Sequence, residues 1–129
     1  MEVPATPSGA AFERAGVSGS GRCAFRGLSL ALTARCNLNC AYCYQRRGAS
    51  RDMEPRVADL SLRVLEERGT RPLRLELTGG EPLLSWELAL ACARRFRSFA
   101  DTQSECILAT NGLLLNGAVL DRLEELDVT

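Results

Sequence analysis

The sequence predicts an α/β fold of three βα units with parallel strands. Residues 28–33 and 73–78 alternate apolar and polar side chains with the period of a β-strand, and residues 106–110 form a short apolar segment typical of a buried strand. Each of these segments precedes a longer one whose apolar residues recur with helical spacing. Strands that alternate with helices in this order form a parallel sheet with right-handed crossovers.

The first βα unit pairs a strand that ends near residue 33 with a helix that begins near Pro55. In the strand, Leu28, Leu30 and Leu32 alternate with smaller or polar residues. Proline suits a first helical turn, and Gly69 suits the position after the last one. The predicted apolar face of the helix consists of Val57, Leu60, Val64 and Leu65.

In the second unit, Leu73, Leu75 and Leu77 form a strand that ends at the glycine pair 79–80. Ser85 is predicted to cap the helix that follows. The apolar residues of that helix are Leu88, Ala89, Cys92, Phe96 and Phe99.

In the third unit, the strand 106–110 leads into an Asn111-Gly112 turn. Asn116 is predicted to cap the next helix, and residues 127–129 to open a fourth strand. The apolar residues of this helix are Val119, Leu120, Leu123 and Leu126.

The second strand has a polar face, formed by Arg74, Glu76 and Thr78. Parallel strands that are buried on both faces usually contain continuous apolar residues. Two explanations stay open at this point: a wet cavity inside an open barrel, or an edge strand that faces solvent.

The charge balance argues against several classes of function. The chain of 129 residues has 16 acidic and 16 basic residues, so no net field favours nucleic acid or a membrane surface. Every basic residue is arginine, and histidine is absent. General-base and Schiff-base chemistry therefore lack histidine and lysine, their usual residues. The six cysteines are the main candidates for chemical function.

The domain organisation follows from composition. Residues 1–24 are rich in Gly, Ser, Ala and Pro and are predicted to form a disordered tail. Residues 25–129 are predicted to form a truncated domain, because the pattern stops in the middle of a unit. No signal peptide and no apolar segment near the roughly 20 residues of a membrane helix is visible. A cytoplasmic location without membrane contact is expected, where clustered cysteines more often bind metal or do redox work.

The motif CNLNCAYC places Cys36, Cys40 and Cys43 directly after the first strand. A loop there projects from the carboxyl end of the sheet, the edge at which parallel α/β sheets bind ligands. Three thiolates on one loop can hold a [4Fe–4S] cluster and leave the fourth iron open. Such an open iron could bind a substrate or cofactor directly.

Zinc and disulfides are the alternatives for these cysteines. A structural zinc site requires four ligands, and the chain has neither histidine nor a second CxxC pair. Cys92 and Cys106 fall on predicted core faces, where lone cysteines behave as small hydrophobes. Cys23 is the one candidate for a fourth cluster ligand, which an electron carrier would need.

Two further loops are predicted at the same edge of the sheet. TGGEP, at 78–82, ends the second strand, and its glycines would let the backbone approach a ligand closely. ATNGLLL, at 109–115, ends the third strand. Each could instead be an ordinary turn, because Gly-Gly, Glu-Pro and Asn-Gly are common turn dipeptides.

Together, CNLNCAYCY, TGGEP and ATNG resemble the motifs of the radical S-adenosylmethionine (radical SAM) superfamily. The resemblance implies a [4Fe–4S] cluster held by Cys36, Cys40 and Cys43, with S-adenosylmethionine on the open iron. It implies that residues 25–129 are a truncated radical SAM core domain, the first three units of a partial (β/α)6 barrel. The activity would be formation of a deoxyadenosyl radical; the resemblance identifies no further catalytic residue.

The resemblance also implies which residues hold S-adenosylmethionine. Tyr42 would lie against the adenine. Gly79, Gly80 and Glu81 would receive the methionine amino group through backbone and carboxylate acceptors. The further candidates for the cofactor site are Pro82, which would stiffen the loop, Thr110 and Asn111.

Partners are implied in the same way. An external one-electron donor would be needed, and a missing C-terminal half or a partner chain would complete the barrel. The residues in and around these motifs look most like those of peptide or protein maturases, which implies a peptide or protein substrate. The alternatives are a molybdenum-cofactor-type cyclase and a non-catalytic iron–sulfur binding or electron-transfer module.

Overall fold

The computed structural model describes residues 25–44 and 51–129, and these residues form three βα units. The strands pair in the order β1-β2-β3, and both pairs are parallel. The predicted α/β fold with parallel strands is therefore confirmed. The predicted tail at 1–24 and Cys23 lie outside the described residues. The elements are β1 (Phe25–Thr33), α1 (Pro55–Arg68), β2 (Gly69–Gly79), a 3₁₀ helix (Pro82–Ser85), α2 (Trp86–Arg97), β3 (Glu105–Leu108) and α3 (Gly117–Glu125).

The core lies between one face of the sheet and helices α1 and α2. The parallel register sets Leu30 beside Leu77, and Leu77 beside Leu108, so the alternating leucines of neighbouring strands share one face. Leu62 and Phe96 cover that face from the two helices, and both are at most 1% exposed. Each fully buried leucine or phenylalanine contributes about 1.5–3 kcal/mol through removal of apolar surface from water.

The bounds of α1 are as predicted, but the predicted apolar face is wrong. Gly69 follows the last turn, and its N–H donates to the Leu65 carbonyl. The helix buries Ala58, Leu62 and Leu65, which lie on one side at helical spacing. Of the four predicted face residues only Leu65 is buried; Val57, Leu60 and Val64 are exposed.

The polar face of β2 is not explained by an edge position, because β2 is the central strand. Arg74 on this face lies beside Glu105 of β3, with 3.6 Å between guanidinium and carboxylate. Ser29 of β1 is exposed on the same side. The sheet therefore has one apolar face against the helices and one polar face, and a cavity over the polar face stays a prediction.

Of the two predicted helix caps, one is confirmed by a side-chain hydrogen bond and the other is not. The Asn116 side chain caps α3 by accepting a hydrogen bond from the Val119 N–H, at 3.1 Å. Ser85 precedes α2, but its hydroxyl makes no capping bond, because the 3₁₀ helix already leads the chain into α2. None of the helices in the described part of the chain is long and apolar enough to cross a membrane.

The end of the described chain returns to the sheet beside β3. Val128 forms an isolated parallel bridge with Cys106, and the Leu108 N–H donates to the Thr129 carbonyl at 2.8 Å. The predicted opening of a fourth strand is thus confirmed as this one bridge. Helix α3 has no buried residues.

Candidate functional site

Three loops meet at the carboxyl ends of the three strands, an edge that we call the rim. They are the loop after β1 that carries Cys36, Cys40 and Cys43, which we call the cysteine loop, the GGEP turn (79–82) and the TNG turn (110–112). The parallel register of the strands brings the ends of β2 and β3 side by side, so loops far apart in sequence become neighbours. The predicted meeting of these loops at one edge is therefore a feature of the fold.

The cysteine loop carries three free thiols at the surface of the rim. Cys36 and Cys43 are exposed and Cys40 is partly buried. The Cys43 N–H donates to the Cys40 carbonyl at 3.2 Å. The Leu38 N–H lies 3.4 Å from the Cys36 Sγ. The loop thus turns twice within a few residues and exposes its sulfurs.

This donor set suits a cluster better than a single metal ion. Within 25–44 and 51–129, no three or more Cys, Asp or Glu side chains are arranged to hold one ion. A tetrahedral zinc site needs four convergent ligands, whereas each cysteine of a cubane cluster binds a different iron. Three thiols on one short loop are the kind of donor set that a [4Fe–4S] cluster uses, and their role as its ligands stays a prediction.

Cys92 and Cys106 are core residues, as predicted. They are 2% and 1% exposed, and neither forms a disulfide. Burial raises the pKa of both thiols to about 11, so both stay protonated and inert near neutral pH. The accessible thiols of the described chain are those on the cysteine loop.

The GGEP turn lies tightly against the start of the cysteine loop. The Gly80 N–H donates to the Thr33 carbonyl and the Glu81 N–H to the Arg35 carbonyl, each at 2.8 Å. A Cβ atom at Gly80 would clash with the Arg35 carbonyl, and Gly79 has φ +138°, which side chains rarely allow. Glycine is required at both positions because the two backbones touch.

Glu81 lies inside the protein, not at its surface. Its side chain is 0% exposed. Oε1 accepts from the Leu83 N–H at 3.0 Å and from the Thr110 hydroxyl at 2.8 Å, and Oε2 accepts from the Asn111 N–H at 2.9 Å. In the structure this carboxylate joins the GGEP turn to the TNG turn, and its contact with the methionine amino group stays a prediction.

Asn111 connects the TNG turn to the cysteine loop. Its side-chain amide donates to the Asn37 Oδ1 at 2.8 Å and lies 4.0 Å from the Cys36 Sγ. Its Oδ1 accepts from the Leu113 N–H at 3.0 Å, which fixes the orientation of the amide. The structure therefore brings Asn111 and Cys36 together, although they are far apart in sequence.

The other predicted site residues lie on the rim or directly beside it. Tyr42 is 91% exposed on the cysteine loop, and its contact with an adenine stays a prediction. Pro82 is buried at the first position of the 3₁₀ helix. Gly79 and Gly80 lie on the rim, and their contact with the methionine amino group stays a prediction.

Sequence reasoning missed Arg35 and Asp52. The Arg35 guanidinium donates two hydrogen bonds to the Asp52 carboxylate, at 2.8 and 2.9 Å. Hydrogen bonds from Arg35, and then from the Thr33 hydroxyl, lower the pKa of Asp52. The position of Arg35 directly before Cys36 could have marked it as part of the site. Its pairing with Asp52 was not predictable, because it depends on how the chain returns to the sheet after the cysteine loop.

The chain is similar to known proteins in sequence and in fold. The sequence profile of the Radical SAM superfamily matches residues 30–129. An uncharacterized protein of Methanocaldococcus jannaschii is 30% identical over 102 aligned residues, covering 78% of this chain and 35% of that protein. The GTP 3',8-cyclase of Synechococcus sp. strain CC9605 is 42% identical over 102 aligned residues, covering 69% of this chain and 27% of the cyclase.

A probable GTP 3',8-cyclase of Methanosarcina mazei is 31% identical, covering 75% of this chain and 31% of that protein. The chain thus spans about a third of the length of these curated relatives. Among solved structures, the crystal structure of BtrN in complex with AdoMet and 2-DOIA has a TM-score of 0.66. Its identity is 24%, and the match covers 81% of this chain and 43% of BtrN, a likeness in fold.

Proposed function

The chain belongs to the radical SAM superfamily, and from that premise we propose that it is the part of an enzyme that holds a [4Fe–4S] cluster and S-adenosylmethionine. When bound, these two groups supply one-electron cleavage of S-adenosylmethionine, which yields a deoxyadenosyl radical. An external donor supplies the electron, in a reducing cytoplasm that keeps the thiols free. The observation that carries the proposal is the hydrogen-bonded junction of three loops around Cys36.

The residues of this chain have distinct tasks in the proposal. Cys36, Cys40 and Cys43 are the cluster ligands, and they are accessible for this because they lie at the surface of the rim. Gly79 and Gly80 present backbone carbonyl oxygens to the methionine amino group, since the N–H groups of Gly80 and Glu81 are already engaged.

Glu81, Thr110 and Asn111 act in the proposal mainly by positioning. The buried Glu81 carboxylate holds the GGEP and TNG turns at a constant separation. The Asn111 amide directs a donor toward the Cys36 sulfur, and hydrogen bonds to cluster sulfurs influence reduction potential. Tyr42 offers an exposed aromatic face for the adenine.

We expect S-adenosylmethionine to change the electron paramagnetic resonance (EPR) spectrum of the reduced cluster. The reason is that three protein ligands leave one iron free for the cofactor. The measurement uses anaerobically reconstituted chain, reduced with dithionite, with and without S-adenosylmethionine. Cys23→Ala is the control and should leave both spectra unchanged. A cluster that needs Cys23 and ignores S-adenosylmethionine would instead indicate an electron carrier.

For the substrate, we infer a reaction on a purine nucleotide of the GTP 3',8-cyclase type. The GTP 3',8-cyclases among the relatives support this alternative, and the comparisons give the peptide-maturase interpretation no support. The inference concerns the whole protein, because this chain matches only about a third of each cyclase. A C-terminal continuation or a partner chain would supply the nucleotide contacts.

GTP is expected to stimulate formation of deoxyadenosine by at least about tenfold in the complete reading frame, because substrate binding orders the site for hydrogen abstraction. Deoxyadenosine is quantified by chromatography after addition of dithionite, with ATP as the matched nucleotide control. Residues 1–129 alone should bind the cluster but show little turnover. Equal stimulation by ATP, or stimulation by a peptide alone, would contradict the nucleotide assignment.

A further inference from the structure

The two ends of the cysteine loop are joined beneath it. Thr33, the last residue of β1, forms an isolated antiparallel bridge with Asp52, which lies beyond the loop. The Ala34 N–H donates to the Arg51 carbonyl, and the Met53 N–H donates to the Leu32 carbonyl, both at 2.8 Å. The chain thus leaves the sheet and returns at the same place, a closure that we call the neck.

The Arg35 side chain crosses the neck. Its Nε and Nη2 donate to the two oxygens of Asp52 at 2.8 and 2.9 Å, a bidentate geometry that only arginine provides. The same Nη2 donates to the Leu84 carbonyl at 2.9 Å, in the 3₁₀ helix after the GGEP turn. Asp52 also accepts from the Thr33 hydroxyl at 2.5 Å.

The Arg35 backbone is held as firmly as its side chain. Its N–H donates to the Thr33 Oγ1 at 3.0 Å, and its carbonyl accepts from the Glu81 N–H at 2.8 Å. Cys36 is the next residue in the chain. Arg35 therefore connects the first cysteine to the far end of the loop and to the GGEP turn.

We propose that Arg35 and Asp52 are positioning residues that hold the cysteine loop in the arrangement that binds the cluster. The proposal rests on the proposed function. The side chains of Arg35 and Asp52 are 40% and 47% exposed, and ion pairs this exposed add little to the stability of a whole fold. Their loss should consequently affect the loop more than the domain. Groups that orient metal ligands typically change affinity by about 10- to 100-fold when removed.

The test measures the rate of iron release from the anaerobically reconstituted 129-residue chain into a ferrous chelator. Arg35→Gln and Asp52→Asn are each expected to speed release about tenfold. Because the two residues act as one pair, the double variant should release iron no faster than the faster single variant. Arg35→Lys keeps the charge without the planar fork and should restore only part of the retention.

The matched control is a comparable pair remote from the rim. Arg63 and Asp59 on α1 lie 3.0 Å apart, with side chains 60% and 45% exposed. Arg63→Gln and Asp59→Asn should release iron at the wild-type rate. Thermal unfolding of each apo variant, followed by circular dichroism, reports whether the fold itself is changed.

Four outcomes separate the possibilities. Faster release at Arg35 and Asp52, with unfolding temperatures close to wild type, supports the positioning role. Wild-type release rates in these variants overturn it while the proposed function stands. A drop in unfolding temperature that parallels the faster release also overturns it, because the pair would then be a general folding element. Failure of the wild-type chain to take up iron and sulfide counts against the proposed function instead.

Discussion

Alanine at Cys36, Cys40 or Cys43 is expected to abolish cluster binding in the reconstituted chain. Each thiolate is proposed to ligate a different iron, and the loop has no fourth cysteine within the described residues that could replace a lost one. Cys92 and Cys106 cannot substitute, because both are buried in the core with raised thiol pKa values. The measurement is iron and acid-labile sulfide per chain, with the absorption spectrum of the cluster.

Cys92→Ala is the matched control for this loss. It should keep full iron and sulfide content and reduce the free energy of unfolding by about 1 kcal/mol, the cost of removing one buried group of this size. Stoichiometric zinc without sulfide in anaerobically purified protein would falsify the cluster assignment. So would a cluster that survives alanine at any one of the three loop cysteines.

Glu81→Gln is expected to lower the free energy of unfolding by about 2–4 kcal/mol, because it leaves a buried donor without its acceptor. Both carboxylate oxygens accept from backbone N–H groups, Leu83 on one and Asn111 on the other. A glutamine has the same shape but turns one of these acceptors into a donor. Whichever way the amide is oriented, one backbone N–H then meets another N–H group. Urea unfolding of the apo chain followed by circular dichroism measures the change.

Two controls define the origin of that effect. Thr110→Val removes one donor to the carboxylate and the acceptor of the Gly112 N–H, and should cost about 1–2 kcal/mol. Glu67→Gln changes an exposed glutamate on α1 and should alter stability by less than about 0.5 kcal/mol. If Glu81→Gln unfolds at the same urea concentration as wild type, the carboxylate does not hold the two turns together.

The secondary structure was largely predictable because its signals are local. Alternation of leucines in 28–33 and 73–78 predicted β1 and β2, and the structure extends both strands toward their N-terminal ends. Asn116 was identified as a helix cap, since its side chain reaches an N–H only three residues away. The third strand, predicted at 106–110, is Glu105–Leu108.

The buried face of α1 was not predictable in the same way. The helix has two apolar stripes, and both satisfy the helical period: Ala58, Leu62 and Leu65 on one side, and Val57, Leu60 and Val64 on the other. Periodicity alone does not choose between them. The sheet does so, because the parallel crossover from β1 to β2 brings one side of the helix onto the leucines.

By itself the sequence determined the order of the elements, the three clustered cysteines and the superfamily to which the chain belongs. These depend on residue type and spacing along a few consecutive turns. Only the tertiary structure decided that Glu81 faces inward and that Arg35 reaches Asp52. The partners of Glu81 on the TNG turn are 29 and 30 residues away, and Asp52 is 17 residues from Arg35. Contacts over such separations depend on strand register and loop closure, which arise only when the whole sheet packs.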